Sequence, residues 1–357
     1  MTSVTDRVLI SGLLGRIAPD LASAPWEALV RAGRDAGLLG TLGCRLDAQH
    51  VLQSVPPAPR AHLIAARILS DAQHVAVKRE IAEISRALDP LEIPIVALKG
   101  AAYVLADLPP SRGRMFSDID ILVPKEDLPR VESALMLAGY VTTHLDPYDQ
   151  RYYRRWRHEL PPMQHVKRLT VLDVHHNLVG RTNRIDLDPR ALFRDAIPIP
   201  GSAHLHVLSP IDMVLHSATH LFLNESMTSA LRDLVDIDAL LRHFGGERGF
   251  WSAIARRAVE LDVPRPLYYA LRYACRLLDT PVPPHVQAAL AAHAPPIPVR
   301  RLMDCTFEAA LAPHASKRST RWARRALYVR GHWLKMPVPL LAWHLTVKAF
   351  RREEMPA

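Results

Sequence analysis

The sequence predicts an α+β fold, with a small mixed sheet set between an N-terminal and a C-terminal helical region. Three observations carry that expectation. Apolar residues recur at helical spacing through most of residues 5–90 and again after Ser209. Short β-branched runs, such as Ile95–Leu98 and Ile119–Val123, fall in the stretch from residue 91 to about 200. The 30 prolines are spread along 357 residues, so they read as helix stops and loop corners. The expected division is 1–90 helical, 91–205 mixed and 206–357 helical.

In the first region, Trp26, Leu29 and Val30 repeat at helical spacing, and that helix should end near Gly37. A long amphipathic helix over His62–Leu88 should stop at Asp89-Pro90. Strands are expected near 94–98, 118–123, 139–144 and 169–175, with helices near 100–107 and 125–138. Gly139 is placed to end the second of these helices. Ser209 can cap a new helix with Pro210 in its first turn. Ile211, Val214, Leu215, Ala218 and Leu221 would line its buried side. Another helix should span about 228–243 and stop at Phe244-Gly245-Gly246. Further helices follow, broken at Pro264, Pro281 and Pro295.

Composition narrows the class. Apolar content of 49% is that of a globular chain, and no fixed-period repeat suggests a solenoid. Cys44, Cys275 and Cys305 are isolated, which fits a reducing cytoplasm rather than a disulfide scaffold or zinc knuckle. The apolar stretch Val8–Gly15 is too brief for a signal peptide. The net charge of +9 favours polyanions, with basic clusters at 151–157, 317–330 and 348–352.

The chemistry centres on Ser117-Asp118-Ile119-Asp120-Ile121-Leu122-Val123. On a strand, Asp118 and Asp120 share one face while Ile119 and Ile121 turn to the core. Two parallel carboxylates repel unless a cation lies between them, and Mg²⁺, an oxygen-seeking ion that keeps phosphates among its ligands, is the natural guest. Upstream, the strand ending at Leu98 runs into Lys99-Gly100 and the helix-like Ala101–Asp107.

This order resembles the polymerase-β-like nucleotidyltransferase superfamily, and within it the bacterial group of uncharacterised nucleotidyltransferases. The matching residues are Leu98-Lys99-Gly100, Arg114, Asp118-Ile119-Asp120, Asp173-Val174-His175, His216, His220, and Leu231-Arg232 with Asp236. The resemblance covers roughly residues 20–250. It implies an Mg²⁺-dependent enzyme that moves a nucleoside monophosphate from a nucleoside triphosphate to an acceptor: small molecule, protein or RNA. Asp118, Asp120 and Asp173 would hold one or two Mg²⁺ ions, with Mn²⁺ as a substitute, and two ions would bridge the attacking and leaving oxygens. Asp173 has general base toward the acceptor as its other role. Lys99, Gly100, Arg114, Ser117 and His175 would contact nucleotide and phosphates, Gly100 through close approach of the backbone. The superfamily usually has Gly-Ser or Gly-Gly here; Gly100-Ala101 lacks that hydroxyl.

Other readings are weaker. His216 and His220 stand one helical turn apart but lack a third ligand, so packing or contact with the cleft outranks zinc binding. Arg232 and Asp236, at i and i+4, suit a helix-face ion pair. The tract Arg151–Arg157 interleaves aromatic and cationic side chains, which suits RNA in an RNA- or tRNA-modifying, toxin-like alternative; nucleic acid is the lesser reading. Trp333–Leu345 suits packing on the helical body better than peripheral membrane attachment. A catalytically degenerate, nucleotide-binding scaffold is the non-enzymatic alternative.

Overall fold

The structure, a computed structural model, describes residues 4–16, 24–143, 146, 150, 153–154, 156–312 and 318–336. It is mixed α+β, with helices before and after a seven-stranded mixed sheet. The N-terminal helices are α1 (Val4–Leu13), α2 (Trp26–Asp35), α3 (Leu39–Ala48) and α4 (Pro57–Leu88). Pro57 starts α4 where a missing N–H costs nothing, five residues ahead of the expected start.

The sheet begins with β1 (Ile95–Ala97), which leads directly into α5 (Lys99–Leu105). After a loop come β2 (Ile119–Leu122), α6 (Leu128–Leu137), β3 (Tyr140–Thr142), β4 (Met163–His165) and β5 (Val171–His175). A short α7 (Arg190–Arg194) precedes the antiparallel pair β6 (Ile197–Pro198) and β7 (Leu205–Val207). The strand order is β3-β4-β5-β2-β1-β7-β6. Every residue of β1 and β2 is buried, as expected for central strands covered on both faces. The β4, β6 and β7 strands were not expected, because two or three residues are too few for alternation to register.

Two pairings position the candidate chemistry. β2 runs parallel to β5 with Asp120 opposite Asp173, and antiparallel to β1 with Ala97 opposite Ile121. Neighbouring registers therefore bring the ends of three strands to one edge of the sheet.

The C-terminal helices are α8 (Pro210–Leu223), α9 (Ala230–Phe244), α10 (Phe250–Glu260), α11 (Pro264–Leu278), α12 (Pro284–Leu290), α13 (Ile297–Ala310) and α14 (Arg318–Lys335). The Ser209 hydroxyl accepts from the Asp212 backbone N–H at 3.2 Å, the expected cap. Burial of α8 differs from the single face expected. Val214, Leu215, Ala218 and Leu221 are buried, but so are Asp212, His216 and Thr219, because α9, α10, α11 and α14 all pack on it. Asp212 survives there through a bidentate pair with Arg257 of α10, both contacts at 2.8 Å. No helix among the described residues is long and apolar enough to cross a membrane. Residues 337–345 of the Trp-rich stretch and the basic cluster 348–352 lie outside the described residues, as do Arg151, Tyr152 and Arg155.

Candidate active site

Asp120 is the hub. It lies in the middle of β2 and is 4% exposed, a burial that a charge tolerates only with partners. Its Oδ1 accepts from Lys99 Nζ at 2.7 Å and from His175 Nε2 at 2.9 Å. Burial alone would raise the pKa of Asp120, but Lys99 and His175 hold the carboxyl well below its usual range. Lys99 reaches it from the first residue of α5, where the backbone has φ of 45°, the left-handed region that a lysine rarely adopts. Such local strain persists where packing over-determines it and is common at functional sites.

Asp173 sits opposite Asp120 on β5, with its Oδ1 buried and without a hydrogen-bond partner. Burial, then the neighbouring Asp120 charge, pushes its carboxyl up to about 7. Donor atoms of Asp120, Asp173 and His175 all lie within 4.8 Å of one another. Asp118 is not in that group. It stands one residue before β2, accepts from the Ser117 hydroxyl at 2.9 Å, and lines the groove beside Asp120.

Asp120, Asp173 and His175 could together hold a metal ion. The unpartnered Asp173 oxygen is what a cation would satisfy, and Asp118 and Asp120 offer further carboxylate oxygens along the same groove. His175 meanwhile grips Asp120 through its Oδ1.

Two adjoining grooves share Lys99, Asp118, Asp120, His220 and Asn224. The first is lined by Arg114, Ser117, Ser217, Ser226, Ser229 and Arg232, among others. Beneath it Arg114 and Asp236 form a buried ion pair. Asp236 thus pairs with Arg114, not with Arg232 as its helical spacing suggested; Arg232 instead meets Asp233 at 3.3 Å. The reason is direction: Asp236 is on the buried side of α9, where Arg114 enters. Burial pushes the Asp236 carboxyl up to about 6 even with the Arg114 guanidinium beside it.

The loop carrying Arg114 is held by helices that sequence reasoning treated as a flank. The Ser70 hydroxyl of α4 donates to the Arg114 carbonyl at 2.9 Å. The Gln73 side chain accepts from the Phe116 N–H at 2.9 Å and donates to its carbonyl at 3.3 Å. Gly113, at φ of 75°, lies so close to Gly40 of α3 that a Cβ on either would fall within 2.4 Å of the other's backbone. Gly100 has a packing reason of its own, since a Cβ there would meet the Phe116 ring at 2.4 Å. Ala101 is 2% exposed and lines neither groove, so the hydroxyls facing the first groove come from Ser117, Ser217, Ser226 and Ser229.

The second groove runs past Asp173 and His175 to Tyr153, Trp156, Arg157 and the end of α14, where Lys335 ion-pairs with Glu225. Burial pulls the Lys335 ammonium below its usual pKa, against the Glu225 charge. His220 lines both grooves, while buried His216 is held neutral by desolvation with a pKa of about 3; neither belongs to a metal-ligating group among the described residues.

Sequence reasoning missed Glu159. Its Oε1 accepts from Arg157 at 2.7 and 3.0 Å, and its Oε2 faces His175 Nδ1 at 3.3 Å. Only its position beside His158 in an irregular stretch marked it, and no periodicity pointed it at Asp173.

A family model described as uncharacterised nucleotidyltransferase matches residues 22–279. No curated protein and no solved structure matches the chain.

Proposed function

The chain belongs to the uncharacterised nucleotidyltransferase family, transferases of phosphorus-containing groups, and from that premise we propose that it transfers a nucleoside monophosphate from a nucleoside triphosphate to an acceptor hydroxyl. The observation that carries this reading is the register of Asp120 against Asp173 on adjacent parallel strands, with Lys99 at the same edge. The triphosphate would occupy the first groove, among Lys99, Ser117, Ser226, Ser229 and Arg232, and the acceptor the second. An acceptor oxygen then attacks the α-phosphorus, a P–O bond forms, and the bond to pyrophosphate breaks.

Asp118, Asp120 and Asp173 would hold Mg²⁺, which supplies charge neutralisation for the phosphates and the departing pyrophosphate. His175 keeps Asp120 in place and ionised. In the alternative to metal binding by Asp173, its carboxyl, raised to about 7 by burial and the Asp120 charge, would take the proton that the acceptor loses. The isolated cysteines, all free, suit a cytoplasmic setting.

The test is a transfer assay with four α-³²P-labelled nucleoside triphosphates, Mg²⁺, and a small-molecule or RNA extract. Wild type should move label to an acceptor, and an Asp118→Ala/Asp120→Ala double variant should not. Equal labelling by both would remove these carboxylates from the reaction. Nucleotide binding by wild type without transfer to any acceptor would favour the scaffold reading.

A further inference from the structure

Beside the carboxylates lies a second cluster of different chemistry. His158, Glu159 and His175 each present one donor atom, and the three lie within 4.8 Å of one another. Glu159 and His175 are 9% and 5% exposed. The backbone fixes the arrangement: Glu159 bridges His175 in antiparallel fashion, and the His176 N–H donates to the His158 carbonyl at 2.8 Å. The two imidazoles stack with centroids 5.3 Å apart.

The two oxygens of Glu159 have separate tasks. Oε1 is taken by Arg157, whereas Oε2 faces both rings, 3.3 Å from His175 Nδ1 and 3.8 Å from His158 Nε2. Donors bound at about 2.0–2.1 Å around a tetrahedral centre lie roughly 3.3 Å apart, so the first spacing is already that of a metal-bound pair. His175 donates its other nitrogen to Asp120 at 2.9 Å. A carboxylate on the far ring nitrogen is the usual arrangement behind a metal-ligating histidine, because it fixes the ring and leaves the near nitrogen to bind.

We propose that His158, Glu159 and His175 form a site for a transition-metal dication, Zn²⁺ foremost, separate from the Mg²⁺ set and joined to it through the His175–Asp120 hydrogen bond. Two imidazoles and one carboxylate suit zinc and its neighbours, whereas Mg²⁺ prefers oxygen throughout. Three protein ligands leave a position for water or for a molecule in the groove that all three residues line. Nearby cations do not close the site: Arg157 is on the other oxygen of Glu159, Lys335 on Glu225, and Lys99 on Asp120. A dication would sit between His175 Nδ1 and Glu159 Oε2, which face each other at 3.3 Å.

The experiment uses Co²⁺, whose visible d–d bands report an N/O site of low coordination number, on full-length metal-free protein in excess Mg²⁺. The expected result is one equivalent of Co²⁺, displaced by Zn²⁺. Those bands should vanish in His158→Ala and persist in Asp118→Asn. Arg157→Ala, which frees Glu159 without removing a ligand, should weaken Co²⁺ by about 10- to 100-fold. Thermal melts would establish that the variants are folded. No Co²⁺ binding by wild type overturns the site, as does a spectrum unchanged by His158→Ala or lost equally in Asp118→Asn. The readout is independent of nucleotidyl transfer, so either proposal can fail alone.

Discussion

The two grooves that meet at Lys99 and Asp120 are built in different ways. The first rests on a loop tied to three helices: Gly113 against α3, Arg114 and Phe116 against α4, and the Arg114 guanidinium against Asp236 of α9. The second takes its walls from the segment around Arg157–Glu159 and from the end of α14. These are joined through part-exposed ion pairs of Glu225 with Arg157, at 3.8 Å, and with Lys335. The contrast teaches where mutations should be felt. The more deeply buried pair ties the first groove to the folding free energy, whereas part-exposed pairs leave the second freer to change its contacts.

The most severe way to break that contrast is Asp236→Ala, which strands the buried Arg114 guanidinium. A loss of about 3–5 kcal/mol in urea unfolding is expected. A loss as small as an exposed pair gives would mean that the first groove is no more rigid than the second.

Asp173, in the second groove, should show the reverse sign. Its carboxyl ionises near 3.8 in the unfolded chain and about 7 in the folded one, so stability falls as pH rises between those values. Asp173→Asn carries no such penalty. It should match wild type near the lower pKa and exceed it above the higher one by on the order of 2–4 kcal/mol, read from melts without metal. Saturating Mg²⁺ should narrow that gap, and Mg²⁺ affinity should climb with pH toward the higher pKa, because the ligand must be ionised. A wild-type affinity flat across that range would contradict the raised pKa.

Gly40→Ala sharpens the comparison. A Cβ 2.4 Å from the Gly113 carbonyl oxygen should cost about 1–3 kcal/mol and hasten proteolysis in the 112–117 loop. Mildest should be Glu225→Gln, at less than about 1 kcal/mol. Its effect belongs in the acceptor KM, with the nucleoside triphosphate KM unmoved; a shift in both would mean that the grooves do not act separately.

Legibility did not follow that divide. β1, β2, β5 and the long α4 were readable because apolar runs and proline stops leave a local signature. Lys99, Asp120 and His175 meet because three of those strands are neighbours, so their convergence followed from elements already recognised. Ser70 and Gln73 were opaque, since small polar residues on a long helix look solvated until another segment docks there. Helical spacing proposed Arg232 for Asp236, but spacing specifies neighbours along one helix and says nothing of an arginine arriving from 122 positions away. Glu159 had no regular element to announce it.

The Gly40–Gly113 crossing bears on the order in which the chain folds. Backbone meets backbone there without a side chain between them, so the loop can reach its final path only after α3 and α4 have docked beside it. Joining segments so distant in sequence carries the closure entropy that slows non-local folding. β1 and β2 can pair earlier, because they lie much nearer to each other in the sequence. Nucleotide-binding competence should therefore emerge late in refolding, after β1 and β2 have paired.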